Sequence, residues 1–128
     1  MLRSLAAATL GLIVSGTAWA GPGTDFCDAM RQNYKECGAE AMQTDANGRP
    51  TADCPNAKNA MSALVPNISA NAISELRTQI PLSYGQWLPL ANAIAHSGGL
   101  DAHALADLQR QLNDRLNAEC YKLQMLDY

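Results

Sequence analysis

Aromatic residues are scarce in this chain, with one Phe, two Trp and four Tyr. That is too few for a packed β protein, whose strands draw on aromatic and β-branched side chains. Charge is sparse and unclustered. Twelve acids and nine Lys or Arg are spread along the sequence, so no basic stripe exists to track a phosphate backbone, which argues against nucleic-acid binding. There is no glycine-rich phosphate loop, no C-x-x-C-H haem attachment and no G-x-S-x-G nucleophile elbow. Met30, Met42, Met61 and Met125 are dispersed and form no copper-binding thioether motif. No apolar run reaches the roughly 20 residues that a bilayer span requires, so the sequence does not read as an integral membrane protein.

What is present starts with a leader. Arg3 supplies a positive n-region, Leu5 to Val14 is a short apolar run interrupted by Thr9 and Gly11, and Ala18-Trp19-Ala20 is an A-x-A cleavage site. Residues 1–20 are therefore expected to be a cleaved signal peptide with Gly21 as the mature N-terminus. A single arginine and an AWA end suit bacterial export, which predicts a periplasmic or secreted protein. Residues 21–128 are the size of one domain. Losing Arg3 moves the formal net charge from −3 to −4, a mild acidity that favours solubility.

Ala, Leu, Asn and Gln abound, a balance that suits helices. Phe26, Met30, Tyr34, Cys37 and Ala41 recur at spacings of four and three, with Cys27 beside them, and predict a first helix with one buried face, capped by Thr24 or Asp25. Asn47-Gly48 and Pro50 end it. Cys54-Pro55 opens a second helix that runs to Pro66. Asn67 or Ser69 is then expected to cap a third, carrying Ala72, Ile73, Leu76 and Ile80, which Pro81 stops. The stretch from Pro81 to Pro89 reads as a connection into another helix that ends at His96-Ser97-Gly98-Gly99. The last helix is the clearest: Asp101 is its cap, and Leu105, Leu108, Leu112, Leu116, Cys120 and Leu123 form its apolar stripe. The expected fold is all-α, a small disulfide-linked bundle of four to five helices, with the first and last longest and antiparallel.

Four cysteines allow three pairings, and geometry removes one. Cys27 and Cys37 are ten residues apart, about 15 Å along a continuous helix, beyond the roughly 7 Å Cα separation a disulfide tolerates. The turn at Asn47-Gly48 brings Cys37 near Cys54, so the preferred pairs are Cys37–Cys54 and Cys27–Cys120. The alternative is Cys27–Cys54 with Cys37–Cys120. Structural zinc ligands come as close pairs such as C-x2-C, which the spacings of 10, 17 and 66 do not contain.

Other candidate chemistry has a plainer reading beside it. His96 and His103, with Asp101 and Asp107, could make an acid–base or metal site, but His96 suits a helix C-terminus and His103 an exposed first turn. Asp45-Ala46-Asn47-Gly48 resembles the middle of a calcium loop, yet Gln43 and Cys54 stand where that loop needs acids. Asp25 and Asp28 could divide acid and base work, or simply serve the helix dipole. Asn67-Ile68-Ser69 fits a glycosylation acceptor, or a helix entry. No metal or cofactor is expected.

Two segments remain as candidate partner-binding surfaces. Tyr84, Trp87 and Leu88, with Leu90, are amphipathic or apolar side chains on the irregular proline segment, where Trp87 alternatively closes the core. The tail offers Met125, Leu126 and Tyr128, with Leu123, and alternatively packs across the first helix. The sequence reading is a small exported, non-enzymatic protein-binding module of the bacterial envelope: an inhibitor, immunity or accessory factor whose partner is another envelope or secreted protein. The alternative is a carrier of a small apolar ligand in an inter-helical cavity, which requires a void of several hundred Å3. A protein binder requires instead a filled core and an exposed patch at Trp87 or the tail. An enzyme using His96 or His103 is the third reading, and needs one of them in a cleft beside an acid.

Overall fold

The computed structural model describes residues 21–127; the expected leader, residues 1–20, and Tyr128 lie outside them. Four helices follow in order: α1 (Pro22–Ala41), α2 (Pro55–Ser69), α3 (Ser74–Ala95) and α4 (Ala102–Met125), with a 3-10 turn at Ser97–Gly99 before α4. This is the all-α, disulfide-linked bundle that the sequence implies. Among the described residues no helix is long and apolar enough to cross a membrane.

The α1 stripe is buried as its spacing requires: Phe26, Cys27, Met30, Tyr34, Cys37 and Ala41 all face the core. The α4 stripe behaves differently along its length. Leu112, Leu116, Cys120 and Leu123 are buried, while Leu105 and Leu108 in the first turns are only half-buried. The cysteines pair as Cys27–Cys120 and Cys37–Cys54, each with Cα atoms 4.9 Å apart. The first bridge joins the start of α1 to the end of α4, so these helices run antiparallel. Two closed disulfides suit an oxidising compartment.

Three boundaries differ from the sequence expectation, and all three involve proline. α2 runs through Pro66 to Ser69, so Asn67 and Ser69 lie in its last turn and do not cap a third helix. α3 then begins at Ser74 and continues through both Pro81 and Pro89 for 22 residues, two more than α1. A proline inside a helix removes one hydrogen bond and crowds the carbonyl four residues back. Here Pro66, Pro81 and Pro89 are exposed, as are Ser62, Arg77 and Gly85, the residues four positions before them, so each freed carbonyl can bond water. The opposite face of α3 buries Leu76, Ile80, Trp87, Leu90 and Ile94. Burial of that stripe, at about 1.5–3 kcal/mol per large side chain, outweighs two proline defects of about 3 kcal/mol each.

The first helix also starts earlier than expected, at Pro22, and neither Thr24 nor Asp25 caps it. Its free N–H groups are satisfied from the other end of the chain. The Asp127 carboxylate accepts from the Gly23 and Thr24 backbone N–H groups at 2.7 Å each, and from the Thr24 hydroxyl at 2.6 Å. Gly23 makes the approach possible, because a Cβ there would collide with the Leu123 carbonyl. With that seat taken, Asp25 is left near two other carboxylates: partial burial first, then the charges of Asp28 and Asp127, push its pKa up. α2 is capped across the turn in the same manner, by Glu40 accepting from the Asn56 and Ala57 N–H groups at 2.9 and 3.1 Å. Only α4 follows the local rule, with Asp101 accepting from Ala104 at 2.8 Å. Replacing Asp127 with Ala is expected to lower unfolding free energy by about 1–2 kcal/mol, the scale of a lost helix cap, which urea denaturation measures directly.

One polar network lies inside the α3–α4 contact. Buried Ser83 donates to Glu119 at 3.1 Å and accepts from Gln79 at 3.0 Å, and Lys122 meets the other Glu119 oxygen at 2.9 Å. The buried carboxylate is thereby paired and hydrogen-bonded, the condition under which burial of a charge is tolerated.

Candidate functional site

Half-buried Leu105, at the start of α4, marks an opening. α1 and α4 are drawn together at one end by the Cys27–Cys120 bridge, Asp127 and the close approach at Gly23. At the other end Cys37 ties α1 to the segment before α2 instead. Between α1 from Arg31 onward and α4 from Leu105 to Asn117 lies a groove of about 710 Å3. Ile94 and Ser97 contribute from α3 and the turn after it, and Met42, Leu105 and Leu116 add apolar wall. Gly38 lines the groove too, and a Cβ there would touch only Ile94 Cγ1, at 3.6 Å. Gly38 lies in the last turn of α1, and its missing side chain leaves room.

The polar groups of the groove are unevenly distributed. α4 presents the amides of Gln109, Asn113 and Asn117, and α1 presents Arg31 and Lys35; no carboxylate lines it. Arg31 Nη2 donates to Asn117 Oδ1 at 3.0 Å, a contact between the two helices. Neither Arg31 nor Lys35 forms a salt bridge among the described residues. Two like charges four residues apart on a helix repel slightly.

Tyr34 lies on the same face of α1, three residues after Arg31 and one before Lys35. It lines the groove and is 8% exposed, and its hydroxyl is buried without a hydrogen-bond partner. Burial pushes its pKa up, so the hydroxyl stays protonated and is a donor. An unpaired buried hydroxyl carries a desolvation cost of about 1–3 kcal/mol. Tyr34→Phe is therefore expected to raise the stability of the unliganded protein by about 1 kcal/mol, read as a higher denaturation midpoint.

The residues singled out from sequence fall elsewhere. Trp87 is fully buried and its indole N–H donates to the Met30 carbonyl at 3.0 Å, so it closes the core and offers no surface to a partner. Tyr84 stacks on it at 6.3 Å between ring centroids; Tyr84 and Leu88 are half-buried against the core. In the tail Leu123 is buried and Leu126 is partly buried against the core, while Met125 and Tyr121 are exposed. His96 is exposed at the end of α3, with Nδ1 2.7 Å from the Asn92 carbonyl, and His103 is exposed in α4. Asp101 is occupied as a cap and Asp107 pairs with Arg110 at 2.7 Å. Asp45 accepts from the Asn47 and Arg49 N–H groups, which makes its loop a self-contained turn around Gly48 at positive φ. No three His, Cys, Asp or Glu side chains among the described residues converge as metal ligands.

The inter-helical cavity of the carrier reading is not assigned to any residues by the sequence, in which Tyr34 belongs to the buried stripe of α1. The signals in the sequence are Gly38 inside the apolar stripe of α1 and the Arg31–Lys35 pair of like charges. Comparison with protein-family models, curated proteins and solved structures finds no match to this chain.

Proposed function

We propose that this protein is a non-enzymatic carrier of a small, largely apolar ligand held in the α1–α4 groove, working in the periplasm or outside the producing bacterium. The observation that carries the reading is the groove of about 710 Å3 with its apolar walls, within the roughly 300–1,000 Å3 range of small-molecule sites. A disulfide, a terminal cap and a glycine contact hold one end of the helix pair closed, which gives the open end a rigid frame. Rigid framing favours binding because less ordering is needed when the ligand enters. The leader and the two disulfides support an exported location.

Gly38→Leu tests the reading. It places bulk in the groove while improving helix propensity, so a loss of binding is not a loss of fold. The environment-sensitive fluorophore N-phenylnaphthylamine is expected to bind the native chain and to be excluded from the variant. Equal binding by both overturns the proposal.

A protein-binding module of the envelope is the second reading, and one observation favours it. Tyr121 and Met125 are 65% and 55% exposed, one turn apart on α4, where large apolar side chains have no structural duty. Under this reading, affinity capture from the native envelope recovers a protein that the Tyr121→Ser/Met125→Ser variant fails to retain.

A further inference from the structure

The groove has polarity as well as room. Its charged residues are Arg31 and Lys35 alone, in a chain whose formal net charge is −3. With Tyr34 they occupy positions i, i+3 and i+4 of α1, which places all three on one helix face. Each is a donor. Arg31 has committed one nitrogen to Asn117, Lys35 has no carboxylate partner among the described residues, and the Tyr34 hydroxyl, in a residue more than nine-tenths buried, has no partner. The groove is thus rich in unused donors at its α1 wall and apolar at Met42, Leu105 and Ile94.

We propose that the ligand is an anionic single-chain amphiphile, a long-chain carboxylate, with its head against Arg31, Lys35 and Tyr34 and its chain along the apolar wall toward Met42 and Leu105. This rests on the carrier reading above and specifies its ligand. A carboxylate supplies acceptors only, which matches a wall of donors. An amine or cationic amphiphile meets two like charges there, and a neutral chain leaves the donors unpaired. Charge-assisted bonds to a carboxylate are roughly twice as strong as neutral ones, and Arg31 and Lys35 are both exposed at the groove and free to meet it. The unpaired Tyr34 hydroxyl then has a purpose in the bound state that it lacks in the free one.

Isothermal titration of the mature protein with dodecanoate and dodecyltrimethylammonium below their micellar concentrations, and with dodecanol below its solubility limit, tests the assignment. Dodecanoate is expected to bind about tenfold more tightly than dodecanol, equivalent to about 1.4 kcal/mol, with the cation weakest. In Arg31→Gln/Lys35→Gln the acid and the alcohol are expected to bind alike. Arg49→Gln, in the exposed loop before α2, is expected to keep the native preference. If the native protein binds acid and alcohol equally, the anionic assignment falls and the carrier reading stands. If it binds none of the three, both fall. A preference for dodecanoate that survives in Arg31→Gln/Lys35→Gln overturns the placement of the head group.

Discussion

Unfolding the Cys27→Ala/Cys120→Ala double variant is expected to take about 4–5 kcal/mol less free energy than unfolding the native chain. The bridge spans a sequence separation of 93 residues, and closing a loop of that length removes about that much conformational freedom from the unfolded state. Both cysteines are fully buried, so the shortened side chains also leave a small void that adds to the loss. A domain of this size has a total stability of roughly 5–15 kcal/mol, and the variant is left close to the unfolding threshold. The Cys37–Cys54 bridge closes a separation of only 17 residues, and its removal is expected to cost about 3 kcal/mol by the same reasoning. Guanidinium unfolding without reductant ranks the two; a larger loss from the short loop contradicts the argument.

That ranking also bears on the groove. The long bridge and Asp127 act at the same end of the α1–α4 pair, so their energies are coupled and not additive. With the bridge gone, the Asp127 contacts remain at that end, but the covalent joint that fixes the angle of α4 to α1 is lost. The groove depends on that angle, because most of its wall comes from the parts of both helices away from the joint. The crosslink thereby links stability to binding: the variant is expected to lose N-phenylnaphthylamine binding before it loses helix content.

Much of this architecture was legible in the sequence, for identifiable reasons. The disulfide pairing followed from one distance, since ten residues of continuous helix separate Cys27 from Cys37 too far for a bond. α4 followed from an uninterrupted stripe and a cap three residues before the N–H group it serves. The misjudged boundaries share one cause. Pro66, Pro81 and Pro89 are local helix breakers, and a local rule cannot register that each lies on a solvated face while Ile80, Trp87 and Leu90 are buried on the other side. The caps of α1 and α2 were illegible for a related reason. Asp127 and Glu40 reach their helices across sequence separations of 104 and 16 residues, and no short motif encodes such a contact. The groove is less legible still, because it is a property of the angle between two helices and each of its apolar residues also fits a core stripe.

Trp87→Ala is expected to lower unfolding free energy by about 3–5 kcal/mol, the range for truncating a buried large aromatic. The ring is fully buried, its N–H is bonded to the Met30 carbonyl of α1 at 3.0 Å, and Tyr84 covers one side. Trp87→Phe keeps most of the bulk and loses the hydrogen bond, for an expected loss of about 1–2 kcal/mol. The comparison separates two roles for this residue. A partner anchor loses affinity on truncation and leaves the free protein as stable as before, whereas a core residue loses stability first. The other tryptophan, Trp19, lies in the expected leader, so in a chain that starts at Gly21 Trp87 is the sole indole and its fluorescence reports on the core alone. Its emission in the folded protein is expected at the short wavelengths of an apolar surrounding, moving to longer wavelength on unfolding in a single step with the loss of helix. Dodecanoate binding is expected to leave that wavelength unchanged, because Trp87 is absent from the groove lining; an indole that shifts with ligand at native helix content places the ligand in the core instead.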